Sequence, residues 1–382
     1  MPTAVVEPII KATHVPLQIF NPRNKSPLDT KIFLDEAGTV DLSRSDVVKY
    51  RVFEAQAENM FGAMWKFHEI NLTRDKIDFY DVLAPHEQFI FTSNLKRQMM
   101  LDTVQSLGLA EALLPLTSDP MVKRCINYIT FFEELHNATY EYILKNVYND
   151  PSEVNDNITN IEEIVACGKA ISKYYDDLIL ETAKYRLGMT TLYKLKKKLW
   201  LAIQSINALE GIRFFVSFAC SFAFGQSGRM MGNSSEIKLI ANDELYHVAF
   251  TTRLIRTLPS DDPEFAQILK ECEAESHAIF MDVLEDEKRW AKYVFSRGSM
   301  LGLNEEIAVN YLDEVAAKRM RAIGLVHPME ASIGKRRSIP WMSKWLNEGD
   351  QQPAPQETEV TSYVQNIQST TSDTTFDSFD FE

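Results

Sequence analysis

The sequence predicts an all-α fold, and three observations predict it. The chain carries only 14 glycines and 15 prolines in 382 residues, too few for a turn-rich β architecture. From about residue 50 to 345 there are long stretches that lack both. Helix start and stop signals bracket those stretches. At 45% apolar and 25% charged residues, the composition is that of an ordinary globular protein long enough to bury a large core.

Charge and cysteine usage narrow the function classes. Forty Lys and Arg stand against fifty-four Asp and Glu, a net charge of −14. That balance argues against non-specific binding of nucleic acid. Cys125, Cys167, Cys220 and Cys272 form no CxxC pair, which excludes a cysteine-based zinc module and gives no disulfide framework. The N-terminus lacks a basic segment followed by an apolar block, so no secretory signal is expected. The most apolar run, Phe214 to Phe224, is too short to span a bilayer. The expectation is a soluble, cytoplasmic protein that engages no membrane.

The elements follow in order. Residues 1–50, with prolines at 2, 8, 16, 22 and 27, read as an extended arm with a short hairpin around Ala37-Gly38. Residues 51–345 read as one helical domain. Pro85-His86-Glu87 opens a helix that runs to about Ser106, with proline in its first turn. Ser118-Asp119-Pro120 starts a long helix to about Val147, and Asn149-Asp150-Pro151 stops it. Further helices are predicted over 158–186, 191–224, 234–258, 262–287 and 304–323. Residues 346–382 read as a disordered acidic tail. After Lys344 there is no Lys or Arg, and residues 350–382 hold seven acids among many Ser, Thr and Gln. Tyr363, Phe376, Phe379 and Phe381 give that tail apolar anchors for docking on a partner. The plainer alternative is a solvated tail.

Two of the seven histidines lie three residues after a glutamate, in Glu133-x-x-His136 and Glu244-x-x-His247. Residues i and i+3 share a helix face, so each pair offers a carboxylate oxygen and an imidazole nitrogen to one point. A single such pair is usually a solvated helix pair. Two further acids change the reading. Glu210 shares its face with Phe214, Phe218 and Ser221, and a carboxylate there is costly unless paired or metal-bound. Arg213 at i+3 is the alternative partner. Asp102 shares its face with Phe91, Leu95 and Met99.

Asp102 precedes Glu133 by 31 residues and Glu210 precedes Glu244 by 34. Each half reads as a lone acid on one helix and Glu-x-x-His on the next. This is the ligand pattern of carboxylate-bridged di-metal four-helix bundles of ferritin-like type. Two divalent cations neutralise four carboxylates, and an oxygen-rich donor set suits iron or manganese better than structural zinc. Tyr140, at i+4 from His136, lies on the ligand face about 6 Å further along the helix. A buried phenol beside an oxygen-activating metal pair is oxidisable, and its radical survives where quenchers are excluded.

These residues resemble the small, radical-generating subunit of class I ribonucleotide reductase. The resemblance spans about Phe61 to Leu325 and the tail around Tyr363. It rests on SNLKRQMMLD ending at Asp102, EELHNATY from Glu133 to Tyr140, NALEGIRFFVSFACSFAF around Glu210, and Asn242 to His247. It implies that Asp102, Glu133 and His136 bind one metal, and Glu210, Glu244 and His247 the other. Glu133 and Glu244 would bridge. It implies two iron ions per chain, with manganese as an alternative, and a tyrosyl radical on Tyr140 against an apolar wall of Phe214 and Phe218. Trp65, hydrogen-bonded to Asp243, would carry oxidation onward, and Tyr363 would pass it to the large subunit, which docks the C-terminus. A homodimer is also implied.

Two features depart from the resemblance. Asn242 stands where many relatives have Arg, and residues 1–50 match nothing in the family. Relatives with a mixed manganese–iron site usually carry Phe where this chain has Tyr140. Two other functions were open on the residues alone. A di-iron oxidase or oxygenase needs an open substrate pocket, and a ferritin-like iron store predicts tolerance of Tyr140→Phe. Neither uses Tyr363 or the aromatic acidic tail.

Overall fold

The computed structural model describes residues 21–346, apart from positions 23, 41 and 337. The described chain is a stack of helices: α1 (Arg51–Gly62), α2 (Thr73–Ile77), α3 (Pro85–Gly108), α4 (Pro120–Val147), α5 (Ser152–Asn155) and α6 (Glu162–Arg186). Then come α7 (Leu192–Ala208), α8 (Phe215–Gln226), α9 (Met231–Asp261), α10 (Pro263–Glu271), α11 (Glu273–Val294), α12 (Glu305–Ala322) and α13 (Met342–Leu346). Four helical runs form the centre: α3 packs on α4 and α8, and α9 packs on α4, α7 and α8.

The helix starts have local causes. Glu87 accepts the Ala84 N–H at 3.1 Å, and Pro85 occupies the first turn of α3. Asp119 Oδ1 accepts the Met121 and Val122 amides at 2.9 Å each and opens α4. The start of α9 is capped from a distance. Asp75 accepts the Asn233 amide at 2.7 Å and the Gly232 amide at 3.1 Å, and Asp78 accepts that of Met230 at 3.0 Å. Those bonds hold Met230 at φ 49°, a left-handed conformation that costs a non-glycine residue about 1 kcal/mol or more.

Three expectations need correction. Residues 191–224 are not one regular helix, because a π-helical turn, Leu209–Arg213, separates α7 from α8. Residues 199–224 are buried on every side, so this run has no single apolar face whose shift at the turn periodicity could reveal. The predicted helix over 262–287 breaks at Cys272, between α10 and α11. At Ala37-Gly38 a turn forms, with the Gly38 amide bonding Asp35 O at 2.9 Å and Gly38 at φ 77°. It closes no hairpin. Instead Phe33 bridges Thr117, and Leu34 N donates to Leu116 O at 3.0 Å. Ile32, Phe33 and Leu34 are buried, so this part of the arm belongs to the core.

The run from Leu192 to Gln226 is apolar and long enough to cross a membrane, but 94% of its apolar window is buried inside the fold. It is a core element. Expectations for the tail, Tyr363 included, and for residues 1–20 lie outside the described residues.

Candidate metal centre

The six predicted ligands converge. Asp102 comes from α3, Glu133 and His136 from α4, Glu210 from the π-helical turn, and Glu244 and His247 from α9. They form two donor groups whose atoms lie within 4.8 Å of one another. One is Asp102, Glu133, His136 and Glu244, and the other is Glu133, Glu210, Glu244 and His247. Glu133 and Glu244 are common to both. All six side chains are buried.

The imidazoles face the carboxylates with Nδ1. His136 Nδ1 lies 3.3 Å from Glu244, 3.6 Å from Asp102 and 3.8 Å from Glu133. His247 Nδ1 lies 3.1 Å from Glu244, 3.3 Å from Glu133 and 3.7 Å from Glu210. On the far side of its ring, His136 Nε2 lies 3.1 Å from Asp243 Oδ2. The same oxygen accepts Trp65 Nε1–H at 2.7 Å. Asp243 is an acceptor, so Nε2 carries the hydrogen and Nδ1 keeps its lone pair for a metal. The Trp65 and His136 rings are stacked with centroids 6.4 Å apart.

The electrostatics show the cost of burying these acids together. Burial pushes the Asp102 carboxyl up to about 7, against the pull of His136. Burial, then Glu210 and Glu133, hold Glu244 well above its ordinary range. Burial alone would lower both imidazoles, but the surrounding carboxylates hold them well above the usual histidine value. Both oxygens of Asp102 and of Glu133, Glu244 Oε1, Glu210 Oε2 and His136 Nδ1 have no hydrogen-bond partner. Buried acids so placed are strongly destabilising unless compensated, and two divalent cations are the compensation this donor set fits.

Tyr140 on α4 is buried, and its hydroxyl has no hydrogen-bond partner. Burial, then the charges of Asp102 and Glu244, push its phenol well above the ordinary value. Phe214 and Phe218 are buried with rings stacked at 5.5 Å. Arg213 does not pair with Glu210. It binds Asp286 on α11, beside the buried pair of Arg97 and Glu287 at 2.5 Å. Thus the local salt bridge that rivalled metal binding at Glu210 is absent.

Sequence reasoning missed Gln105 and Tyr175. Gln105 Nε2 donates to Glu210 Oε1, and the Tyr175 hydroxyl donates to Gln105 Oε1 at 2.5 Å. Gln105 lies at i+3 from Asp102, a signal that was legible. Tyr175 arrives from α6 and carried none. A groove of about 560 Å³ between α3 and α6 is lined by Met100, Val104, Ile164 and Gly168 among others, and by none of the six ligands.

The family model "Ribonucleotide reductase, small chain" matches residues 46–331. The chain is 42% identical over 355 residues to the ribonucleoside-diphosphate reductase subunit beta of Haemophilus influenzae, covering 89% of this chain and 93% of that one. It is 36% identical to the subunit of that name from Enterobacteria phage T4, over 91% and 94% of the two chains. Among solved structures, a ribonucleotide reductase R2 subunit from Clostridium botulinum superposes with a TM-score of 0.75 at 26% identity, covering 86% of this chain and 98% of that one. A dimanganese(II) protein from Streptococcus sanguinis shares the fold, with a TM-score of 0.65 at 16% identity over 80% and 99%.

Proposed function

The chain belongs to the ribonucleotide reductase small-chain family, and from that premise we propose that it stores an oxidising equivalent on Tyr140 for a separate large subunit. Membership makes it the small subunit of a ribonucleoside-diphosphate reductase, an oxidoreductase that works with a large subunit. The observation that carries the radical reading is the placement of a buried, unpartnered phenol on the helix that supplies Glu133 and His136.

In this reading Asp102, Glu133 and His136 hold one iron ion and Glu210, Glu244 and His247 the other, with Glu133 and Glu244 shared. Manganese is the alternative that the same donors accept. When bound, the metal pair would supply dioxygen with electrons and take one electron from Tyr140. The chain's own residues do the rest. Burial keeps water and reductants from the phenoxyl. The Asp102 carboxylate is the leading charge beside the phenol and the nearby acceptor for its proton. Asp243 orients His136 and Trp65 through one oxygen, so an electron can pass from the indole towards the centre without a charge being left unpaired. Tyr363, in the tail, would relay the oxidation to the large subunit, which the C-terminus docks. The family is homodimeric, and we assign a homodimer here as well.

The test loads the metal-free protein with ferrous iron without oxygen, admits oxygen, and records low-temperature EPR beside Tyr140→Phe. The expected result is two ions per chain and a sharp tyrosyl doublet that the variant lacks. Full iron uptake with no organic radical would overturn the radical role. Fewer than two ions per chain would overturn the ligand assignment.

A further inference from the structure

The two oxygens of Glu210 are not equivalent. Oε1 accepts a hydrogen bond from Gln105 Nε2. Oε2 has no hydrogen-bond partner and lies 3.7 Å from His247 Nδ1. Gln105 is itself held, because its carbonyl oxygen accepts the Tyr175 hydroxyl at 2.5 Å. Tyr175 in turn lies against α3 where that helix has no side chain. A Cβ built on Gly108 would sit 2.3 Å from the Tyr175 ring. Gly108 ends α3 and a π-helical turn, Leu109–Leu113, continues the run; glycine within a helical run costs about 1 kcal/mol relative to alanine, and here it makes room for the phenol.

We propose that Gly108, Tyr175 and Gln105 form a strap that makes Glu210 a one-oxygen ligand, free to bind metal through Oε2 alone. The proposal rests on the metal-centre reading above and assigns Gln105 and Tyr175 as positioning residues. A glutamine side chain can rotate to exchange its oxygen and nitrogen. With the oxygen turned to Glu210, two acceptors would face each other in a buried site. The Tyr175 O–H opposes that rotation, since the amide oxygen is the acceptor it uses among the described residues and would be lost to it. The amide nitrogen is then committed to Glu210.

Glu210 has more need of such support than the other ligands. It stands on the π-helical turn, where the regular α-helical ladder does not set its direction. Gln105 also takes up one carboxylate oxygen without adding a charge that would compete with a cation. Tyr175 is a second buried phenol close to the centre, yet its hydroxyl donates to a neutral amide. An amide is no base for the phenol proton, so Tyr175 stays reduced while it holds Gln105.

The test uses the full chain loaded with ferrous iron without oxygen, as wild type, Tyr175→Phe, Gln105→Leu and the double variant. Phenylalanine keeps the ring beside Gly108 and removes only the hydroxyl. Near-infrared magnetic circular dichroism reads the ligand field of each ion, and titration reads its affinity. The expected result is that both single variants move the bands of one ion and spare the other. Affinity for the moved ion falls about tenfold. The double variant is expected to be no worse than Gln105→Leu, since both act through one contact. Unchanged bands and affinity in Tyr175→Phe would overturn the strap while leaving the metal centre standing. So would equal shifts at both ions with a lowered unfolding temperature of the metal-free protein, which would show general loosening. A wild type that binds fewer than two ions removes the centre and the strap together.

Discussion

Gly108 shows how the centre is supported by what one residue lacks. Alanine there would drive a methyl group into the Tyr175 ring at 2.3 Å, and the ring is enclosed. The ring must shift, and the Gln105 contact shifts with it. Gly108→Ala is therefore expected to destabilise the metal-free protein by about 1–3 kcal/mol in urea unfolding, the usual cost of overpacking. The same variant is expected to move the ferrous bands as Tyr175→Phe does. A stable Gly108→Ala protein with wild-type bands would mean that the ring has somewhere else to go. Residue-scale legibility was uneven. Glu133 with His136, and Glu244 with His247, were readable because helical spacing alone puts each pair on one face. Tyr175 was not, because its partners lie on another helix.

Among the elements, α9 bears the heaviest electrostatic load. It carries Glu244 and His247, and Asp75 and Asp78 hold its first turn. One turn further in, Glu236 is buried with both oxygens unpartnered. Burial, then the charges of Asp75 and Glu69, hold its carboxyl well above the ordinary value of 4.5. The folded protein therefore keeps this proton at pH values where the unfolded chain has released it. Glu236 contributes most below its ordinary range, and stability is lost as pH rises towards the folded value. Glutamine cannot ionise. Glu236→Gln is thus expected to melt above the wild type by a margin that grows between about pH 5 and about pH 8. Thermal unfolding of the metal-free proteins at the two pH values checks this, and a margin that shrinks as pH rises would contradict it. At this scale the sequence located the long helices well, but the π-helical turn at Leu209–Arg213 and the break at Cys272 escaped it. Neither contains a proline to announce it, and the glycine in the turn, Gly211, lies inside a largely apolar run.

For the whole molecule, charge is divided between a packed domain and an acidic tail. Residues 350–382 hold seven acids and no Lys or Arg, together with Tyr363 and three phenylalanines. The six ligands, Tyr140 and Trp65 all belong to the described domain. Truncation after Leu346 is therefore expected to leave iron uptake and the Tyr140 radical intact. Under the proposed function it is also expected to abolish nucleotide reduction when the large subunit is added, because the tail would carry the docking peptide and the Tyr363 relay. Assaying turnover and EPR on one preparation separates the two effects. Undiminished turnover would show that the tail is dispensable.

Spacing along the chain was enough to predict the all-α class and to name the six acids and histidines that the fold brings together. Helix geometry is local, so residues three, four or seven apart are bound to share a face. The fold alone decided which partner Arg213 takes and that Ile32 to Leu34 join the core. It also decided that Glu210 is held through one oxygen. Each of these depends on side chains brought together from distant helices, and the distances that select among them exist only once the helices have packed.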